Sequence, residues 1–458
     1  MSLRDRHAEV DLVAVGCGPF NMSLAALAST LPDLAFLAFE ATDELRWHPG
    51  LMLDDALFQQ SFLADLVSLV DPAHPLSFLA YLKAEDRLYP FFVREQFHPT
   101  RREYEAYLRW VASRLGSVVF GARVTSVRWD AGASRFVVDV EERSGRVQHV
   151  SARHVVVGVG TEPHLCDALR EIGPSHALHS AQYMARRRDV LRAHHVTVLG
   201  SGQSAAEVVL DLLRENLRGG PALSWITRAE SFAPLDYSKL VLEMTTPAYV
   251  RYFHGLEEAA RDRLNAQQWR HYRGISSYTL DQIHDALYQR ELLRGLCPVE
   301  LRCGVEAHSA TMRRDGRVAL SFKHRDTQEH YEHPTDLVIA ATGYRERAAP
   351  CLAPLSEYIV RDSKGRKVVE LDYRVALDPA ITGRLFVANA ELHTHGVATP
   401  DLGVSAYRSA TILNNVLGRE AYTLPRRTAF SSFGIPGDAD TGDRAGRVAP
   451  AIMQGGRA

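Results

Sequence analysis

Two segments of this sequence follow one plan: an apolar strand, a glycine turn and the start of a helix. They are "VDLVAVGCGPFNMSLAALA", Val10 to Ala28, and "VTVLGSGQSAAEVVLDLL", Val196 to Leu213. The plan predicts an α/β fold with parallel strands, each unit offering a helix N-terminus to a phosphate. In the first unit, Gly16 and Gly18 allow a tight turn and close backbone approach to a pyrophosphate. The run "LAFLAFE" then ends in Glu40, 24 residues after Gly16, where a carboxylate can accept hydrogen bonds from a ribose hydroxyl pair. Asn21 stands where the general fingerprint has its third glycine. In the second unit Gly200 and Gly202 make the turn and Ala205 takes the third place. Ala205, Val208, Val209, Leu212 and Leu213 form a core-facing stripe. The strand "ALSWIT" then runs into Arg228, placed to pair with a 2′-phosphate or else to sit in solvent.

The 458 residues suffice for two or three domains, and 46% hydrophobic content is globular. A net charge of −2 with interspersed signs gives no nucleic-acid surface. The longest apolar runs are strand-sized, and the polar N-terminus shows no signal peptide. Five scattered cysteines without a CxxC pair speak against a disulfide scaffold, a zinc site and a dithiol redox centre. The expectation is a soluble cytoplasmic protein without nucleic-acid or membrane partners.

Two further strand-then-glycine segments are "HVVVGVGTEP", His154 to Pro163, and "DLVIAATGY", Asp336 to Tyr344. Both read as returns to a parent sheet. The expected organisation is therefore a discontinuous FAD-binding domain, 1–161 and 336–420, with an NADPH-binding domain inserted at 190–236 and 295–335. Helical periodicity over 237–294 suggests a small substrate-binding subdomain, and 434–458 reads as a flexible tail. Two nucleotide units in one chain point to a held flavin recharged by a mobile NADPH. The missing dithiol favours a flavin monooxygenase over a disulfide reductase. A nucleotide sensor without turnover is the non-enzymatic alternative.

The motifs "GCGPFNMSLA", "WHPGLMLDDALFQQSFLADL", "GSGQSAAE", "ATGYRER" and "HTHGVATPDLGVSAYRSA" together resemble the N-hydroxylating flavin monooxygenases of siderophore biosynthesis, from about Val10 to about Tyr422. Asn21 is the expected residue there. The resemblance implies that Gly16, Gly18, Pro19, Phe20 and Asn21 hold the FAD pyrophosphate, Glu40 its ribose, and that Trp47, His48 and Gln59 line the flavin. It gives NADPH to Gly200, Ser201, Gly202, Gln203 and Ser204, with Arg228 at the 2′-phosphate, and adds Thr342, Gly343 and Tyr344 to the cofactor set. "HTHG", His393 to Gly396, would edge the flavin ring and substrate pocket; a metal there is the weaker reading. No dedicated catalytic side chain is implied, because the reduced flavin carries the oxygen. The partners would be a small amine, O2 and further copies of the chain in a dimer or tetramer.

Amino-acid-specific members read "FLKDL", with a lysine that pairs with the substrate carboxylate; here "SFLADL" has Ala64. Their second carboxylate contact, an Asn before a Glu, matches Leu242 before Glu243. Burying a carboxylate against these apolar residues costs several kcal/mol or so. The substrate expected is an aliphatic diamine, putrescine or cadaverine, with lysine or ornithine as alternative. Its distal ammonium needs an acid, Glu243 or Asp401, the latter beside Leu402. If an amino acid were the substrate, Arg251 or Arg273 would be the cations to test.

Overall fold

The computed structural model describes residues 9–293 and 295–435. Two sheets organise it. The first runs, edge to edge, Val118–Val119, Phe36–Phe39, Val10–Val15, Val147–Val157, Arg135–Glu142 and Ala122–Asp130. Its first four strands are parallel, and the last two meander back antiparallel. The long strand Val147–Val157 also takes Arg384–Val387 as a parallel partner along residues 154–157. The second sheet is wholly parallel: Val299–Arg302, Ala222–Ile226, His195–Leu199, Leu337–Ala340, Ala177–His179. A separate antiparallel sheet, Val305–Met312, Val318–His324 and His330–Thr335, extends from it.

Each glycine-turn strand sits near the middle of its sheet, buried on both faces as parallel packing demands. The helices that follow, Pro19–Ala28 and Gln203–Asn216, cover those faces. Ala205, Val208, Val209, Leu212 and Leu213 are at most 1% exposed, so the apolar stripe read from spacing is the buried face.

Three expectations need correction. Leu337–Ala340 does not return to the first sheet; it pairs with His195–Leu199 and Ala177–His179. The place it was to fill, beside residues 154–157, is taken by Arg384–Val387. The second sheet also begins earlier than 190, at Ala177. Third, the segment 237–294 divides. Helix Ser277–Glu291 packs Ile283 and Ala286 into the second sheet's core, whereas Pro247–His254 turns Tyr249 and Phe253 toward Val397. The chain crosses between the sheets through a two-stranded antiparallel ribbon, Thr161–Pro163 against Tyr344–Glu346. The segment expected as a tail lies, from 436 onward, outside the described residues. Among the described residues no helix is long and apolar enough to cross a membrane.

Candidate active site

The first glycine turn is built for close approach. Gly16 has φ +81°, and a Cβ there would lie 2.6 Å from the Gly158 carbonyl oxygen, so only glycine fits. Gly18 caps helix Pro19–Ala28 and has open space where a Cβ would stand. Asn21 explains its own departure from glycine. Its buried amide donates to the Gly16 carbonyl at 2.8 Å and the Val15 carbonyl at 3.2 Å, tying the turn to its strand. The Glu40 carboxylate accepts from the Cys17 amide at 2.8 Å, which brings it to the lip of the turn.

Phe20 leads to a feature the sequence reading did not find. The Arg408 guanidinium lies 4.7 Å above the Phe20 ring and donates to the Thr399 carbonyl at 2.7 Å. It forms an ion pair with Glu391 at 2.8 Å, with side-chain exposures of only 2% and 0%. Burial pushes the Glu391 carboxyl up, against the opposing pull of Arg408. The pair thus ties the "HTHG" segment to helix Ser405–Leu417, which packs on helix Pro19–Ala28.

Trp47 packs in an aromatic group with His48, Phe58 and Tyr104, at ring separations of 4.7, 5.7 and 5.0 Å. His48 takes a left-handed conformation, φ +49°. The Gln59 amide nitrogen is buried without a protein partner, a donor prepared for a ligand acceptor. Gln59 lines a cavity of about 220 Å3 together with Phe58, His98, Gln203, Tyr237 and Ser276. This cavity joins the flavin side to the second glycine turn.

At that turn Gly200 has φ +132°, and a Cβ would lie 2.3 Å from the Ala341 carbonyl oxygen. Gly202 caps helix Gln203–Asn216, with Ser201 and Ser204 half-buried beside it. Gln203 donates to Glu207 at 2.8 Å and to the Thr279 hydroxyl at 3.0 Å, and accepts from the Ser276 amide at 2.8 Å. Arg228 stands exposed just past strand Ala222–Ile226, 3.4 Å from Glu306. Thr342, Gly343 and Tyr344 hold the crossover: the Thr342 hydroxyl donates to the His164 carbonyl, and the Gly343 carbonyl accepts from the His164 amide at 3.0 Å. Tyr344 sets its ring edge-on to His179 at 5.2 Å. These residues fit a flavin dinucleotide at the first turn and a nicotinamide dinucleotide at the second.

The substrate candidates separate. Asp401 accepts from the Gln60 amide at 3.1 Å and from the Gly403 amide at 2.7 Å. Burial pushes its carboxyl up, against hydrogen bonds from Gly403, Gln60 and Thr245. The Tyr237 hydroxyl donates to Gln60 at 3.4 Å, and burial with the nearby Asp401 charge pushes it up to about 12. Gln60 and Tyr237 were missed by sequence reasoning; the adjacent glutamines in "FQQSF" were the available signal. Glu243 is otherwise engaged: its two oxygens accept the Phe430 and Ser431 amides, both at 2.8 Å. That corrects its expected role at the amine. Ala64 is buried in the first core, while Leu242 and Leu402 are half-buried. Arg251 and Arg273 are exposed.

The "HTHG" histidines face protein groups. His393 bonds the Lys367 carbonyl at 2.7 Å, and His395 stacks on Tyr373 at 4.6 Å. Among the described residues no group of three or more His, Cys, Asp or Glu is arranged for a metal. The five cysteines are all free.

Known proteins resemble this arrangement along nearly the whole chain. A putrescine N-hydroxylase from Shewanella oneidensis is 38% identical over 425 residues, covering 92% of this chain and 84% of the relative. The FAD-bound crystal structure of a cadaverine monooxygenase of desferrioxamine biosynthesis, from Erwinia amylovora, superposes with TM-score 0.90. It is 36% identical, covering 94% of this chain and all of that one. An ornithine N-hydroxylase from Kutzneria, holding reduced FAD, NADP+ and L-ornithine, gives TM-score 0.82 at 28% identity, covering 90% of this chain and 100% of that one. The family model described as L-lysine 6-monooxygenase/L-ornithine 5-monooxygenase matches residues 8–346. The chain belongs to this family of N-hydroxylating monooxygenases.

Proposed function

We propose that this protein N-hydroxylates one primary amine of an aliphatic diamine, putrescine or cadaverine, for hydroxamate siderophore biosynthesis. Amine, O2, NADPH and a proton give the hydroxylamine, water and NADP+. When bound, FAD would supply the redox chemistry, accepting hydride from NADPH and allowing one oxygen atom of O2 to reach the amine nitrogen. The observation that carries the diamine reading is Asp401. It is a carboxylate pushed up by burial, turned to Gln60 and Tyr237, in a chain with Ala64 and Leu242 at the two carboxylate-binding positions. Putrescine and cadaverine are also the substrates named for two of the relatives.

The residues then divide the work. Gly16, Gly18, Pro19, Phe20 and Asn21 hold the FAD pyrophosphate, Glu40 its ribose, and Trp47, His48 and Gln59 the flavin ring. Gly200 to Ser204 receive NADPH, and Arg228 its 2′-phosphate. Asp401 holds the distal ammonium, with Gln60 fixing the carboxylate. The reacting amine has an ordinary pKa of about 10.4 and must lose its proton to react. Apolar Leu242 and Leu402 penalise the charged form and so favour the free base.

The same proposal makes the protein cytoplasmic and homo-oligomeric, a dimer or tetramer. Five free cysteines suit a reducing compartment. The helix Leu88–Arg94 and the turn after it expose Tyr89, Phe92, Val93 and Phe97 at 58–80%, an apolar face suited to a second copy.

The test of function is product. Purified protein with FAD, NADPH and a diamine should form a hydroxylamine, and omitting the amine should divert consumed oxygen to hydrogen peroxide. Oxygen-independent reduction of a disulfide substrate would overturn the reading.

A further inference from the structure

Glu243 lies in the turn Glu243–Thr245, immediately after the half-buried Leu242. Both of its oxygens are spent on the amides of Phe430 and Ser431, and the Ser431 hydroxyl, together with these amide bonds, holds its carboxyl below the usual range. The segment 428–433 continues this attachment on both sides. The Thr428 hydroxyl accepts from the Ala248 amide at 3.0 Å, satisfying a first-turn donor of helix Pro247–His254. Phe433 sets its ring edge-on to Tyr249 at 4.9 Å.

The other side of this helix bears on the candidate amine site. Phe253 packs on Gly396, where a Cβ would come within 3.0 Å of its ring. Val250 forms one cluster with Ala398 and Val404, which flank Asp401 in the chain. Thr245, two residues after Glu243, donates its hydroxyl to the Leu242 carbonyl at 2.9 Å and lies near enough to Asp401 to oppose the upward push on its carboxyl. The segment 428–433, the Glu243 turn and helix Pro247–His254 thus form one layer whose inner face meets the loop carrying the acid.

We propose that residues 428–433 act as a strap, clasped by Glu243, that fixes the wall of the amine pocket, so that Glu243 and Ser431 are positioning residues for diamine binding and coupled hydroxylation. This rests on the assignment of the amine site to Asp401. A loosened wall admits water and lets the amine lie in more than one pose. The amine KM should rise and oxygen should leak to peroxide. The glycine turns that hold the two dinucleotides lie outside this layer, so the rate of flavin reduction by NADPH should not change.

The test is a double-mutant cycle in the full-length, FAD-loaded protein. Glu243→Ala removes the acceptor; Ser431→Pro removes the amide donor; Ser431→Ala keeps the amide and removes the hydroxyl alone. Each of the first two should raise the diamine KM by roughly tenfold, the scale of one charge-assisted hydrogen bond. Each should also lower the hydroxylamine formed per NADPH, with the rate of flavin reduction unchanged. The double variant should be no worse than either single, because both cut the same clasp. Ser431→Ala should lie between wild type and Ser431→Pro. Assays well below each variant's melting temperature separate these effects from loss of fold, and Phe433→Ala, a milder loosening, should shift KM and coupling in the same direction. The proposal is overturned if Ser431→Pro leaves KM and coupling unchanged. It is also overturned if Glu243→Ala impairs diamine binding equally with or without Ser431→Pro, which would mean that Glu243 meets the substrate. Wild type measured in parallel separates the two levels: no diamine turnover there counts against the amine-site assignment, whereas normal wild-type turnover with unaffected variants counts against the strap.

Discussion

Arg101 and Glu207 join the two nucleotide units by a two-pronged ion pair, with both guanidinium nitrogens 2.7 Å from the carboxylate oxygens and side chains 11% and 5% exposed. Arg101 begins the helix Arg101–Ala112 against the first sheet's core; Glu207 lies in helix Gln203–Asn216 of the second unit. Glu207 also accepts from Gln203 at the second glycine turn. One carboxylate therefore fixes the nicotinamide turn relative to the flavin side. Glu207→Ala, which leaves Arg101 buried and unpaired, should destabilise the protein by about 3–5 kcal/mol. It should also slow flavin reduction by NADPH. Urea unfolding and stopped-flow reduction check the two effects, and Glu207→Gln should lose less in both.

Arg228 is solvent-exposed with Glu306 as its neighbour, so it is free to exchange that weak partner for a phosphate. Arg228→Ala should reduce the preference for NADPH over NADH by roughly ten- to a hundredfold, through KM rather than the limiting rate. An unchanged preference in steady-state reduction would remove Arg228 from the 2′-phosphate.

Asp401 carries opposite consequences for stability and function. Its carboxyl is pushed up by burial, so ionisation is harder in the fold than in the unfolded chain. Its stabilising contribution is present below the unfolded carboxylate pKa and is lost as pH rises through the folded value. At neutral pH Asp401→Asn should therefore raise the melting temperature of the substrate-free protein. The same change should raise the diamine KM by roughly ten- to a hundredfold. It should also remove the acid-side fall in diamine kcat/KM expected of wild type as Asp401 gains a proton. Differential scanning and a pH series on both proteins measure this.

Both glycine turns, the acid and the arginine at the strand ends, and the buried stripe of helix Gln203–Asn216 were legible because each is a local pattern tied to one backbone geometry. Leu337–Ala340 was misplaced because a short strand buried on both faces reads the same in either sheet; only pairing partners distinguish them. Glu243 and Asp401 could not be ranked from sequence. What separates them is the contact of Glu243 with amides 187 and 188 residues away. The Glu391–Arg408 pair stayed hidden for a like reason. An arginine in an apolar helical stripe announces a buried partner but does not say which carboxylate supplies it.

The central claim is that this site takes an amine with a second cation and no carboxylate. NADPH-dependent hydroxylamine formation, measured side by side with putrescine, cadaverine, L-lysine and L-ornithine, tests it most directly. A diamine should give the highest kcat/KM, with both amino acids well below it. Faster turnover of lysine or ornithine than of either diamine would contradict the account and mean that a cation elsewhere in the pocket binds the carboxylate.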